Sequence, residues 1–455
     1  MAGLAAATVL AEQDLSIDLF EARRQLGGRA GSFQLDGHPQ AIDHCQHVAM
    51  ACCTNFLDFC QRTGVSEYFR RESRLHFFGP DQRRVDLQPS RWLPAPLHMA
   101  PFLLKLRYLT WKERIGVASA LWRLARHTSE ENESSPSIGQ WLSAIGQSPS
   151  AQERFWSVVL VSALGESLDR ASITAARKVF VDGFMANRTA YQVDVPTISL
   201  GRLYDGHVAD HLERHQVALL RETAVRQVHV SSKELTLELA DGTQRCYDFL
   251  VLATSWRCAE SLLADELRAQ LPQLQGWSKS PSSPITGVHL WFDRPLTRLT
   301  HAILVGHLSQ WVFNHGYKTS EAGNSEGYYY QVVISASRDL TSMKRKDLVD
   351  KVVSELSALW PEVEQASLVR SQVVTQRDAV FSYLPGLDCR RPNQTTTVPQ
   401  LFLAGDWTQT EWPATMEGAV RSGYLAAEAL LKQLGQPRSV LVPGLKPSWL
   451  ARLLW

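Results

Sequence analysis

Apolar residues occur in short runs whose spacing alternates between that of buried strands and that of helices. Mostly apolar runs bounded by polar residues predict buried strands at residues 17–20, 248–253 and 401–404. Alternating apolar residues predict further strands at residues 224–230, 235–239, 287–292 and 328–334. Small and apolar residues at helical spacing predict helices at residues 2–11, 138–142 and 152–164. Strands separated by helices are typical of an α/β fold.

The strand at residues 401–404 leads into Gly405 and Asp406, and a helix is predicted to open near Met416. A glycine after an apolar strand lets the backbone approach a phosphate, and an aspartate there can accept hydrogen bonds from sugar or ribityl hydroxyls. The start of a helix offers a partial positive charge to an anionic ring. We therefore predict a flavin site that includes Gly405, Asp406, Glu417, Gly418, Ala419 and Val420.

A second cofactor-binding pattern lies near the N-terminus. Gly3 opens a helix of small residues, and Glu21 ends the following strand eighteen residues later, where dinucleotide folds hold ribose hydroxyls. Gly27 and Gly28 permit close backbone approach, and Arg29 is available for a pyrophosphate. The first strand and the first two glycines of G-x-G-x-x-G are missing from this sequence. We therefore expect upstream DNA to encode an apolar strand ending in Gly-x-Gly.

These segments together resemble the FAD-dependent amine oxidase and phytoene desaturase superfamily. Within it, residues 43–48, 93–98, 404–408 and 412–423 are similar to the hydroxysqualene dehydroxylase branch, over a stretch from Met1 to about Leu431. His44 and Cys45 depart from the branch, which usually has Asn-Gly there. The resemblance implies FAD as the cofactor, with the backbone at Val225 beside the adenine.

The resemblance also implies two interleaved domains. One is a glutathione-reductase-type, Rossmann-like FAD domain whose first strand is missing, formed by residues 1–75, 205–284 and 385–436. The other is a mixed-sheet and helical substrate domain formed by residues 76–204 and 285–384. Residues 437–455 are left as a C-terminal tail.

The activity that the resemblance implies is the reduction of hydroxysqualene to squalene, in hopanoid and squalene biosynthesis. Reduced flavin would give a hydride, the allylic hydroxyl would leave as water, and an external electron donor would be required. A protonated side chain near that hydroxyl would help it leave, and Asp43 and His47, four residues apart, are the candidates for this catalytic role. An equally plausible interpretation is that these two residues only hold a loop in place.

Several alternatives stay open. A carotenoid-type desaturase would run hydride transfer in the opposite direction, and a flavin-free scaffold would need no complete fingerprint. His207, His211 and His215 recur every fourth residue, but they have no carboxylate or cysteine partner at a fixed offset, so we predict no metal site. Aromatic residues such as Tyr328 to Tyr330 are more typical of a core than of an amine-binding cage.

Charge and composition indicate the partners and the compartment. Lysine and arginine exceed aspartate and glutamate by 47 − 46 = +1, so nucleic acid is not an expected partner. The seven cysteines form no C-x-x-C pair, which indicates a cytoplasmic, reducing compartment. Apolar and basic residues intermingle at 93–115 and 449–455, which predicts peripheral contact with the inner face of the cytoplasmic membrane, beside squalene-pathway enzymes. The alternative for these segments is a core helix and a frayed tail.

Overall fold

The computed structural model describes residues 1–35, 41–128, 131–230, 234–319 and 325–455. In chain order, the helices are α1 (Ala2–Leu10), α2 (Thr54–Arg62), α3 (Ala100–Lys105), α4 (Trp111–Ala125), α5 (Ile138–Ala144), α6 (Pro149–Ala151), α7 (Val158–Leu164), α8 (Ile173–Phe180), α9 (Ala209–Arg214), α10 (Trp256–Ala259), α11 (Asp265–Ala269), α12 (Arg345–Leu359), α13 (Met416–Gln433) and α14 (Trp449–Leu454). Three π-helical turns, at Gln152–Ser157, Val181–Met185 and Arg202–Val208, adjoin α7, α8 and α9.

The strands are β1 (Asp18–Phe20), β2 (Ser32–Phe33), β3 (Ile42–Asp43), β4 (Ala49–Met50), β5 (Phe69–Glu72), β6 (Leu75–Phe78), β7 (Arg84–Leu87), β8 (Val193–Pro196), β9 (Ala218–Leu220), β10 (Val225–Val230), β11 (Leu235–Leu239), β12 (Gln244–Tyr247), β13 (Leu250–Leu252), β14 (Ser282–Phe292), β15 (His301–Leu304), β16 (Trp311–Thr319), β17 (Ser325–Ser335), β18 (Leu368–Phe381) and β19 (Leu401–Leu403). Every strand predicted from the apolar pattern has a counterpart here, although several are shorter than their apolar runs.

Two pairs of short parallel strands lie beside α1. β1 pairs with β9, and β13 pairs with β19, so strands far apart in sequence become neighbours. Within the described residues no ladder joins the two pairs, and residues 2–10 form a helix rather than a strand. An antiparallel sheet of β10, β11 and β12 completes this side of the molecule.

Helices α1 and α13 cross with their backbones nearly in contact. A methyl group added at Gly423 would lie 2.3 Å from the Ala2 carbonyl oxygen and 2.9 Å from the Ala6 nitrogen. A larger side chain therefore cannot occupy this position without separating the helices. The crossing holds the N-terminus of the chain against the last long helix.

The other half of the molecule is built on a seven-stranded mixed sheet with the order β18-β14-β17-β16-β15-β6-β7. Neighbouring strands are antiparallel except β15 and β6, which are parallel. Helix α12 covers one face of the sheet with Leu348, Val352 and Leu356, which are buried against Val288 and Val332. Helices α4 to α8 pack elsewhere around the buried rings of Trp156 and Phe180.

This architecture confirms the predicted α/β class and the mixed sheet. The large sheet takes its strands from residues 75–87 and 282–381. The domain boundaries proposed from the sequence stay predictions.

Candidate functional site

The centre of the candidate site is an ion pair between Arg29 and Asp406. The Arg29 guanidinium lies 2.5 Å from Asp406 Oδ1, donates to the Ala379 carbonyl at 3.0 Å, and stacks on the Trp256 ring at 4.8 Å. The Asp406 residue is only 4% exposed. Two residues that the sequence analysis assigned to different parts of the cofactor are therefore joined directly.

The loop that carries Arg29 requires glycine. Gly27 and Gly28 have φ values of +92° and +65°, which side-chain-bearing residues rarely adopt. A methyl group at Gly27 would also lie 2.6 Å from the ring of Tyr204. The backbone here can therefore turn tightly after β1, as a loop that meets a phosphate must.

The turn after β19 is fixed by its own hydrogen bonds. Gly405 has a φ of +146°, and its N–H donates to Ser422 Oγ at 2.8 Å. The Asp406 carbonyl accepts from the Arg391 guanidinium at 2.9 Å. These contacts hold the Asp406 carboxylate at the end of the strand.

Helix α13 begins directly behind this turn. Thr415 caps it, because its hydroxyl accepts from the Gly418 N–H at 3.1 Å. A methyl group at Gly418 would lie 2.6 Å from the Pro413 carbonyl oxygen, so the first turn leaves no room for a side chain. Ala419 is half-buried and Val420 is buried.

The Glu417 carboxylate is hydrogen-bonded to the start of α2, and its predicted contact with the cofactor stays a prediction. One carboxylate oxygen accepts from the Asn55 side chain at 2.9 Å, and the other accepts from the Phe56 N–H at 2.7 Å. Burial raises the pKa of this carboxyl group, although these hydrogen bonds oppose the rise. Glu417 thus caps the N-terminus of α2, which explains why an acidic residue lies in this apolar part of the chain.

The remaining predicted cofactor residues lie on three other elements. Glu21 follows β1, and its carboxylate accepts from the Arg23 N–H at 3.0 Å. The buried Met1 amino group is close enough to Glu21, Arg29 and Asp406 for their charges to influence it, and burial lowers its pKa to about 6. Gly3 packs against Ala253, and Val225 opens β10 opposite Leu239.

The donors and acceptors around Arg29 fit a cofactor with phosphate, sugar and aromatic parts. Thr254 Oγ1 and Trp256 Nε1 are buried without a hydrogen-bond partner among the described residues. Both follow β13, and the Thr254 carbonyl accepts from Trp407 Nε1 at 2.9 Å. Neither residue was predicted from the sequence. The signal was available, because β13 was predicted and the ends of neighbouring parallel strands lie at the same edge of a sheet.

A large cavity lies between the two halves of the molecule. Its volume is about 220 Å³, and its lining includes Trp412, Pro413, Thr415 and Met416 at the start of α13. Most of its wall is apolar: Val48, Met50, Leu75, Phe77, Val158, Val159, Val179, Phe184, Val193, Ile303, Trp311, Phe313 and Val333. The cavity therefore suits a hydrocarbon that extends to the start of α13.

Charged groups on the cavity wall are already paired. Lys178 Nζ lies 2.8 Å from Asp182 and 4.9 Å from the centre of the Trp412 ring. The Tyr191 hydroxyl donates to the Ser73 carbonyl at 2.8 Å. The wall thus offers a charged ligand few unoccupied partners.

The two candidate catalytic residues lie behind this wall rather than on it. Asp43 Oδ1 accepts from the Ser32 hydroxyl at 2.6 Å and from the Leu200 N–H at 2.8 Å. Burial raises the pKa of Asp43 to about 6. His47 is hydrogen-bonded through Nδ1 to the Cys45 carbonyl at 2.9 Å, and removal from water lowers its pKa to about 4. These contacts are those expected of residues that hold a loop in place.

The three histidines with helical spacing do not converge. His207 lies in a π-helical turn and stacks on Tyr68, with ring centres 4.3 Å apart. The rings of His211 and His215 contact each other, with centres 4.3 Å apart and planes tilted by 35°. His207 thus has a different aromatic partner from the other two histidines.

Comparison with known proteins identifies the family. The family model for flavin-containing amine oxidoreductases matches residues 1–431. Among solved structures, cyclohexylamine oxidase from Brevibacterium oxydans superposes with a TM-score of 0.69 at 16% identity, covering 95% of this chain and 97% of that one.

Curated relatives match nearly the whole chain at low identity. The 15-cis-phytoene desaturase of Solanum lycopersicum is 24% identical over 95% of this chain and 76% of its own length. The zeta-carotene desaturase of Synechocystis is 23% identical, covering 95% of both proteins. The hydroxysqualene dehydroxylase of Zymomonas mobilis is 24% identical over 95% of this chain and 97% of its own length. The chain therefore belongs to the flavin-containing amine oxidoreductase family and is an FAD-dependent oxidoreductase.

Proposed function

We propose that this protein reduces hydroxysqualene to squalene, within squalene and hopanoid biosynthesis. The observation that carries the proposal is the apolar cavity that reaches the start of α13. A hydrocarbon substrate gains from such a wall, because each buried methylene contributes about 0.8 kcal/mol. The relative of Zymomonas mobilis, which matches at nearly full length, supports the choice of this hydrocarbon.

The reaction balances as an alcohol plus a proton plus a hydride giving a hydrocarbon plus water. Reduced FAD supplies the hydride when bound, and an external donor supplies the electrons. We propose that Arg29, Asp406 and the turns at Gly27 and Gly405 hold the cofactor. The cavity wall excludes bulk water and positions the chain beside it.

Asp43 and His47 stay our candidates for the proton donor. Of the two, Asp43 has the pKa, about 6, that lets a carboxyl group hold a proton close to neutral pH. His47, with a pKa of about 4, is neutral at pH 7 and therefore has no imidazolium proton to donate. Asp43 does not line the cavity, so a donor role would require it to act through a group that does.

Carotenoid-type desaturation is the second candidate, because the phytoene and zeta-carotene desaturases match the chain as well as the hydroxysqualene enzyme does. The two reactions need opposite redox states of the flavin.

Two reaction mixtures distinguish the candidates. Anaerobic, chemically reduced protein is mixed with hydroxysqualene, and oxidised protein with a quinone is mixed with phytoene or zeta-carotene. Squalene from the first mixture alone supports the proposal. Desaturated polyene from the second alone replaces the proposal with the desaturase.

We further propose that the substrate arrives from an anionic membrane. The exposed side chains Trp92, Leu97, Leu104, Trp111, Ile115, Trp122, Trp449 and Leu453, called here the docking surface, lie on α3, α4, α14 and the loop before α3. Trp92 is 93% exposed and Trp449 is 69% exposed, so these large side chains bury little surface in the protein itself.

Contacts between the segments bring the docking surface together. Arg114 stacks on Trp111 and donates to the Leu104 carbonyl, which joins α4 to α3. Arg126 stacks on Trp122 and donates to the Leu454 carbonyl, which joins α4 to α14. The tail is thus held against α4 instead of fraying.

Charge and position make a bilayer the occupant that suits this surface. Residues 91–128 carry seven arginines and lysines and one acidic residue, Glu113. Basic side chains around exposed tryptophans suit anionic headgroups above an acyl boundary. Phe102 of α3 also contacts Phe77 of the cavity wall, with ring centres 5.2 Å apart, so α3 lies between the surface and the cavity. None of the helices in the described ranges has both the length and the apolar character needed to cross a membrane.

A further inference from the structure

We infer that Gln46 recognises the hydroxyl group of the substrate by accepting its hydrogen bond. This inference rests on the proposed function, and it assigns the alcohol specificity to one residue. Gln46 lines the cavity and is 8% exposed. Its Oε1 atom has no hydrogen-bond partner among the described residues.

The orientation of the Gln46 amide follows from its other contact. Nε2 donates to the His47 carbonyl oxygen at 3.2 Å. Because a carbonyl oxygen can only accept, the NH2 end of the amide must face His47, and the oxygen end must face away from it. The unused group is therefore an acceptor, which requires a donor such as a hydroxyl.

Four other polar residues of the cavity wall are already hydrogen-bonded or ion-paired. Lys178 is paired with Asp182, the Tyr191 hydroxyl is bonded to Ser73, and Glu417 caps α2. Ser162 donates to the Val158 carbonyl and accepts from Trp311. Among the described residues that line the cavity, Gln46 is the one with a fully buried side-chain oxygen that has no hydrogen-bond partner.

An unpartnered buried acceptor favours a ligand that brings a donor. An alcohol restores the hydrogen bond that the amide oxygen lacks, whereas squalene or a carotene cannot. The oxygen is covered by neighbouring atoms in this structure, so the contact requires the Gln46 side chain to turn slightly toward the cavity. A site of this kind binds its alcohol substrate and releases its hydrocarbon product.

Binding to the oxidised holoenzyme tests the inference without turnover. Titration of the flavin absorbance gives dissociation constants for hydroxysqualene and for squalene. In the wild-type protein we expect squalene to bind about tenfold more weakly than the alcohol. Gln46→Leu should bring this ratio close to one while leaving the affinity for squalene nearly unchanged. Gln46→Glu, which keeps an acceptor, should retain a preference for the alcohol.

Gln147→Leu is the matched control. Gln147 is also 8% exposed, but it is not part of the cavity wall, and its Oε1 accepts from Trp156 at 3.0 Å. We expect this variant to lose stability without changing the ratio of the two dissociation constants.

The outcomes separate this inference from the proposed function. A wild-type protein that binds both ligands equally, or a Gln46→Leu variant that keeps the alcohol preference, overturns the role of Gln46 even if squalene is formed. A preference that disappears in Gln46→Leu supports the role even if the reduced protein forms no squalene. In that case the proposed reaction fails and the alcohol site remains.

Discussion

At the scale of single residues, the ion pair between Arg29 and Asp406 defines the candidate cofactor site. An arginine that stacks on Trp256 and pairs with a buried carboxylate is held in one orientation. Its remaining donors are then directed without further loss of side-chain entropy. In the proposed cofactor site, the pair would hold a cationic group in place before the cofactor binds.

Removing the charge of Asp406 should weaken cofactor binding. Asp406→Asn keeps the shape of the side chain but loses a charge-assisted hydrogen bond, which typically contributes roughly 1.5–3 kcal/mol. We expect the dissociation constant for FAD, measured by reconstitution of the apoprotein, to rise by about ten- to a hundredfold. Glu133→Gln, which breaks an exposed pair with Arg390, should leave this constant unchanged. Equal FAD affinity in Asp406→Asn and wild-type protein would contradict the assignment.

Asp43 should contribute a pH dependence of stability with a known sign. Burial raises its pKa from 3.8 to about 6, so between these values the folded state keeps a proton that the unfolded state has released. Stability therefore falls as the pH rises through this window, by on the order of 3 kcal/mol. Asp43→Asn has no such proton, and its free energy of unfolding relative to wild type should rise between pH 4 and pH 7.

The control for this prediction is Asp293→Asn. Hydrogen bonds from the Ser367 N–H and from Arg294 hold the pKa of Asp293 below its usual range, so this carboxylate stays ionised in the folded state throughout the window. The stability difference between Asp293→Asn and wild type should therefore change little from pH 4 to pH 7. If the free energies of unfolding of Asp43→Asn and wild-type protein change equally with pH, burial of Asp43 is not the cause of the pH dependence of stability.

At the scale of elements, the crossing of α1 and α13 connects the N-terminal segment to the cofactor turn. Gly423 permits this crossing, and Ser422 beside it accepts from the Gly405 N–H. Helix α13 therefore packs against α1 at Gly423 and, through the neighbouring Ser422, holds the turn at Gly405. Packing between the two helices and the geometry of the site are therefore linked.

Gly423→Ala should destabilise the protein. The added methyl group would meet backbone atoms of α1 at 2.3 Å and 2.9 Å, and backbone cannot move aside as a flexible side chain can. Overpacking of this kind costs about 1–3 kcal/mol, which thermal unfolding would report as a lower Tm. Gly206→Ala is the matched control, because nothing lies within 4 Å of its added methyl group. Equal Tm values for the two variants would show that α1 is not held as described.

At the scale of the whole molecule, α3 links the docking surface to the cavity, because Leu104 is exposed at that surface and Phe102 contacts Phe77 of the cavity wall. An apolar substrate that leaves a bilayer at this surface would not have to cross water before reaching the cavity wall. If the proposed docking occurs, the basic residues of α4 would attract anionic lipid, and the exposed tryptophans would insert into the acyl boundary. Both contributions should be visible in binding to vesicles.

We expect the protein to sediment with anionic liposomes at low salt and to be released as salt screens the attraction. Deletion of residues 443–455 and the double change Trp111→Ser with Trp449→Ser should each reduce the bound fraction severalfold. Val369→Ser provides the control, because Val369 is a 59% exposed apolar residue of β18 outside the docking surface. Wild-type protein that stays in the supernatant with anionic lipid at low salt would rule out docking, and a partner enzyme would then have to deliver the substrate.

Local patterns were enough to predict the α/β class, the main strands and the positions of the glycine turns after β1 and β19. The conformation of a glycine with positive φ, such as Gly27 or Gly405, is set mainly by residues close to it in sequence, and so is the start of the helix at Met416. Such features can therefore be predicted from the sequence alone. Family membership follows from the order of these local features. The same patterns left the roles of Asp43 and His47 open, because the partners of a side chain do not appear in its own segment.

The tertiary structure alone decided which distant groups meet. It joined Arg29 to Asp406 across 377 residues of chain, and it brought the Glu417 carboxylate to the N-terminus of α2. It also placed Asp43 against the Leu200 backbone, behind the wall of the cavity. The apolar cavity is formed by strands and helices from many parts of the chain, and each of them, taken alone, has the sequence of an ordinary core element. Burial and pairing depend on these long-range contacts, and so the empty space, the shifted pKa values and the unpartnered oxygen of Gln46 became visible only once the chain was folded.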